Sequence, residues 1–195
     1  ELDSASSAVI EVALPLHPAS VSSVERERVL GSRAPRDRGA DTRRLWRQAV
    51  ERVTIELPPS ASRVVNSVYA NLAYILVNRD HAGLQPGSRS YERSWIRDGS
   101  LEATALLRLG RADAAREFLE WYAGFQYPNG KIPCCVDSRG ADPVPEHDSH
   151  GEFIYILMEY FRHTGDRALL TELWPRVKAA AGYIDSLRQT RRTPE

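Results

Sequence analysis

Cysteine is nearly absent from this chain, and the two present, Cys134 and Cys135, are adjacent. Neighbouring cysteines can close only a strained ring, so no disulfide staple is expected. Two thiols without a CxxC partner pair also make a poor structural zinc site. They read as small, semi-buried loop residues. Lysine occurs only at Lys131 and Lys178, and the 26 basic residues are matched by 26 acidic ones. That balance removes the field that would attract nucleic acid or an anionic membrane. No run approaches the ~20 apolar residues needed to cross a bilayer. The opening Glu1-Leu-Asp-Ser has neither the basic nor the apolar region of a signal peptide. No GxGxxG fingerprint, P-loop or GxSxG elbow occurs. The expectation is no nucleic acid, no membrane, no cofactor and no metal, with the compartment left open.

What is present is helical periodicity. The 195 residues suffice for one domain with a substantial core. Residues 1–39 stand apart: Val9 to Leu16 is β-prone and ends in prolines, followed by a charged linker. It reads as the end of a preceding β domain. From residue 40 the pattern is all-α. Asp41 or Thr42 can cap a helix through Val53 carrying Leu45, Trp46, Ala49 and Val50. A second helix runs from Ser60 to about Asn78, apolar over much of its circumference. A third runs from Asp98 to Leu109 with Leu101, Ala105 and Leu106 as its stripe. A fourth runs from Arg111 to Gln126, and a fifth from Asp148 or Ser149 to Gly165. A sixth opens at Asp166 and is interrupted at Trp174-Pro175. Trp46, Trp121, Trp174, Met158 and Tyr160 fall at core spacing, and no strand is expected after residue 40.

Two long polar loops precede the third and fifth helices, while the turns at Gly110 and Thr164-Gly165 are minimal. In an up-down helical array alternate connections emerge at one end, so both long loops should share a face. The first carries Tyr91-Glu-Arg-Ser-Trp95-Ile-Arg97-Asp98. Aromatic faces with Arg and Asp suit a polyhydroxylated ligand, packing on C–H surfaces while donating to and accepting from hydroxyls. Asp98 also sits where free helix N–H groups favour a carboxylate. The same residues have a plain structural use: Asp98 as a cap, Arg97 as its ion-pair partner, Trp95 as a core plug. The second loop gathers Glu146, His147, Asp148 and His150. Paired carboxylates across a cleft are the equipment of glycoside hydrolysis, and the spacing is not that of an HExxH zinc helix. Here too the plain alternative is that Asp148 or Ser149 caps the helix and the histidines trim the loop. Gln126, Asn129 and Lys131 can hydrogen-bond hydroxyls, although Asn129-Gly130 is a common turn pair.

The segment Tyr91-x-x-x-Trp95-Ile-Arg-Asp-Gly-Ser-Leu101 resembles the Trp-x-Arg-Asp element of glucoamylase-like, six-hairpin glycoside hydrolases. Asn129-Gly-Lys-Ile-Pro, Asp148-Ser-His-Gly-Glu-Phe and Glu159-Tyr-Phe-Arg-His-Thr-Gly-Asp166 extend the likeness over residues 60–190. The resemblance implies an (α/α)6 toroid, of which this chain would hold only the first part. Twelve helices are needed and five or six are legible, so self-association or a missing C-terminal half is expected. It also implies an oligosaccharide substrate, with Arg97 and Asp98 gripping a sugar beside the scissile bond. Trp95 would shape the wall, and Tyr91, Lys131 and His147 would join the substrate contacts. Asp148 would be a further contact. The family's acid and base lie on later hairpins, which leaves Glu146 and Asp148 as the catalytic candidates within this chain. The function implied is hydrolysis of α-linked oligosaccharides. The alternatives are a non-catalytic carbohydrate-binding or helical assembly module, or a phosphorylase or rhamnosidase of the same architecture, with Glu92 or Glu146 as acid.

Overall fold

The computed structural model describes residues 35–192, and the expected strand at Val9–Leu16 lies outside them. The described residues divide into two units at Gln48 and Ala49. Helix α1 (Pro35–Val50) crosses their boundary. It begins within the stretch expected to be linker and ends before Val53. Leu45 and Trp46, expected in a core, are 61% and 38% exposed.

The second unit contains α2 (Ser62–Asn78), α3 (Ile96–Arg108), α4 (Ala112–Ala123), α5 (Ser149–Thr164) and α6 (Arg167–Thr190). The chain is mostly helical, and local chemistry explains the punctuation. Gly110 and Gly165 sit at φ +76° and +67°, a region that glycine enters without steric cost. Asp166 caps α6 by accepting the Leu169 N–H at 3.1 Å, as its position before the helix suggests. Trp174-Pro175 does not interrupt α6: Pro175 lies inside one continuous helix.

A small antiparallel sheet is the departure from an all-helical reading. Strands β1 (Ser94–Trp95), β2 (Cys135–Asp137) and β3 (Gly140–Ala141) pair in that order. Ser94 faces Val136 and Trp95 faces Cys135. Strands this short give no period-2 signal, because alternation needs several residues to register. Since β1 ends the first long loop and β2 lies in the second, the sheet stitches the two loops together.

Below the sheet, side-chain pairs reveal how the helices run. Arg97 meets Asp148, Ser100 meets Glu152 at 2.7 Å and Thr104 meets Tyr155 at 3.3 Å, with sequence offsets of 51, 52 and 51. A constant offset along two helices means that they lie parallel and in register. Arg116 meets Asp166 and Gln126 meets the Arg176 carbonyl, both at an offset of 50. Thus the α3/α4 hairpin is laid beside the α5/α6 hairpin in the same orientation. The core between them includes Ile96, Leu106, Phe118, Tyr122, Phe153 and Ile156, all buried. At Gly99 a β-carbon would lie 2.5 Å from the Phe118 ring, so its absence lets α4 approach α3 closely. The stripe expected on α3 is rotated: Leu101 is 61% exposed, and Gly99, Ala103 and Leu106 face inward.

Candidate functional site

Both long loops converge on Arg97, the second residue of α3. Its Nε donates to Asp148 Oδ2 at 2.6 Å and its Nη2 to Glu146 Oε2 at 2.8 Å. The guanidinium pKa is raised, first by the Asp148 hydrogen bond and then by that residue's charge. These side chains are 51%, 41% and 30% exposed. Ion pairs this wet contribute ~1 kcal/mol or less, so their effect is orientation. Nη1 takes no partner among the described residues and remains able to donate.

The expected Arg97–Asp98 pair does not form. Helix α3 begins at Ile96, so Asp98 lies inside its first turn and Trp95 occupies the N-cap position. Asp98 is half-buried and still benefits from the helix N-terminus. Asp148 does occupy the N-cap position of α5, but its side chain makes no cap bond and turns to Arg97 instead.

The remaining candidates are dispersed. Trp95 is half-buried in β1, with the Arg93 guanidinium 5.3 Å above its ring. Tyr91 stands 65% exposed, and no hydrogen bond or ring contact joins it to Arg97. Lys131 donates to the Pro143 carbonyl and lies 5.3 Å from the Tyr127 ring, which pins one part of the second loop to another. His147 is exposed. Its neighbour His150 is 1% exposed, accepts the Ile132 N–H on Nδ1 at 3.1 Å and packs edge-on against Tyr183 at 4.7 Å. Burial lowers the His150 pKa, and the nearby charge of His147 adds to this. His150 is therefore structural. Gln126 is spent on the Gly130 and Arg176 carbonyls, and Asn129 makes the turn expected of it by accepting the Lys131 N–H.

Sequence reasoning passed over Glu102. It follows Asp98 by one turn, at the edge of the buried stripe, and its Oε2 is shut from solvent without a hydrogen-bond partner. Burial, then the charge of Asp98, pushes its carboxyl pKa up to about 8. The i, i+4 spacing from Asp98 was the available signal. Arg93 was missed as well. It bonds Asp142 at 2.5 Å and lies 3.0 Å from Asp137, locking the two outer strands together.

Cys134 and Cys135 are both buried, with sulfurs 3.4 Å apart. With Asp142 they bring three potential ligand atoms within 4.8 Å of one another. The donor set is poorly prepared for a cation. Asp142 is already committed to Arg93, and burial pushes the Cys135 thiol up to about 12.

Comparison with protein-family models, with curated proteins and with solved structures gives no match.

Proposed function

We propose that this chain is a glycoside hydrolase, or a part of one, acting on α-linked oligosaccharides by carboxylate acid/base catalysis. Arg97 and Asp98 grip the sugar, within an α-hairpin array of the (α/α)6 toroid type. The observation that carries this reading is the cross-loop cluster of Arg97 with Glu146 and Asp148. It stands where two parallel helices begin, and a guanidinium held by two carboxylates with Nη1 left over is oriented toward a ligand in advance of binding. The repeated offset near 51 residues between the two hairpins supports a closed or continuing array of such units. Trp95 belongs to the wall of the same site, and a further half or a second copy would complete the ring.

Within this chain Glu146 and Asp148 both act as acceptors toward Arg97, the arrangement of a sugar-holding cluster. That observation favours one second reading, a carbohydrate-binding module without turnover. Hydrolysis of α-linked disaccharides separates the two. For the site itself, sugar affinity measured by calorimetry should fall about 10-fold or more in Arg97→Ala, the scale of one charge-assisted hydrogen bond. His147→Ala should change it little. Equal, negligible effects of both would remove the assignment.

A further inference from the structure

A cavity of about 590 Å³ opens between the two loops, away from the Arg97 cluster. Ser94 and Val136, a facing pair of β1 and β2, line it; the next pair, Trp95 and Cys135, does not. Successive strand residues point to opposite faces, so the sheet divides this cavity from Trp95. None of Arg97, Asp98, Glu146 or Asp148 contributes to it.

Its volume falls within the range of small-ligand pockets. One part of the lining is aromatic: Trp121 and Phe125 meet edge to face at 5.0 Å. The charged lining is balanced, with Arg89, Arg93 and Arg139 against Asp80, Glu92 and Asp137. Arg93 is held by Asp142 at 2.5 Å, with the charge of Asp137 3.0 Å away, and Arg139 is held by Asp137 at 2.6 Å. This leaves the Arg89 guanidinium and the Glu92 carboxylate with no side-chain partner among the described residues. An uncommitted donor and an uncommitted acceptor beside an indole match vicinal hydroxyls on a ring with an apolar C–H face. The balance of charge gives an anion no advantage.

The backbone adds an independent sign. His81 and Arg89 are the non-glycine residues with positive φ among those described, at 49° and 60°, and both line this cavity. Left-handed backbone at side-chain-bearing residues costs about 1 kcal/mol or more and concentrates at binding sites.

We propose that this cavity is a binding site for a neutral saccharide, with Trp121 against a sugar face and Arg89 and Glu92 on its hydroxyls. It is separate from the Arg97 site and does not depend on it. The test follows the Trp121 indole N–H resonance, assigned with Trp121→Phe, during titration with maltotriose, cellotriose and glucuronate. Arg89→Gly removes the guanidinium while glycine keeps the positive φ unstrained. Ser138→Trp, on an exposed turn, fills the opening. A neutral trisaccharide should shift the signal, and both variants should weaken that response by about 10-fold or more. Arg97→Ala should leave it intact. No shift with either trisaccharide, a shift with glucuronate alone, a response surviving both cavity variants, or its loss in Arg97→Ala would each overturn the proposal. Failure of the Arg97 site, by contrast, would leave the Trp121 response unchanged.

Discussion

Replacing Glu102 with Gln should stabilise the protein at alkaline pH and do much less at pH 5, where the effect is only beginning. The carboxyl titrates near its ordinary value of 4.5 when unfolded and near 8 when folded, because burial and the neighbouring Asp98 disfavour its charge. Between those values the folded state holds the proton that the unfolded state has lost, so stability falls as pH rises from about 4.5 to 8 and then levels. At about 1.4 kcal/mol for each pH unit of that interval, the ceiling is about 5 kcal/mol. Water reaching a half-buried side chain and local relaxation should reduce this to roughly 2 kcal/mol. Glutamine has the shape of the protonated acid and cannot ionise. Urea denaturation of both proteins at pH 5, 7 and 9 reads the effect directly, with Glu102→Gln gaining progressively from pH 5 to pH 9. A difference that stays constant across the three pH values would refute the reasoning, since only ionisation can supply the slope.

Two further substitutions probe the frame beneath the loops. Gly130→Ala should cost about 3 kcal/mol in denaturation experiments, because φ is +89° and an added β-carbon would collide with the carbonyl of Ala179 in α6. Asp166→Ala should lower the melting temperature measurably, as loss of a helix cap does, since Asp166 caps α6 and also holds Arg116 at 2.6 Å and Tyr160 at 3.3 Å. Asp166→Asn should recover most of the cap. The Leu169 N–H lowers the Asp166 carboxyl below its ordinary range, so this stabilisation is present at neutral pH and fades on acidification through the lowered value. Thermal melts from pH 7 down to pH 3 would show the wild-type advantage over Asp166→Ala shrinking.

Much of the helical frame is legible in the sequence. The signals at Gly110, Gly165 and Asp166 are local: a left-handed φ or a capping oxygen acts within a few residues of its own position. The same holds for α2, α4 and α5, whose apolar spacing spans several turns. The placement of two long loops on one face also followed from sequence, because alternate loops of a hairpin array must share an end. Their meeting is realised in the β1–β2 pairing. The sheet itself was missed, as strands of two or three residues carry no periodicity.

The composition and local order of the chain determined that it is mostly helical, where its turns fall and which loops carry its polar aromatic residues. Tertiary structure alone decided that Arg97 binds Asp148 and Glu146 and not its neighbour Asp98, that Leu101 and Trp174 lie exposed while the Glu102 Oε2 is shut from solvent, and that Pro175 stays within a helix. Each of these depends on what lies opposite. Partners about 50 residues apart are chosen by the relative rotation and offset of whole helices, and a shift of one residue turns a helix by about 100°. Local propensities cannot carry that information, because it belongs to the packing of one hairpin on the next.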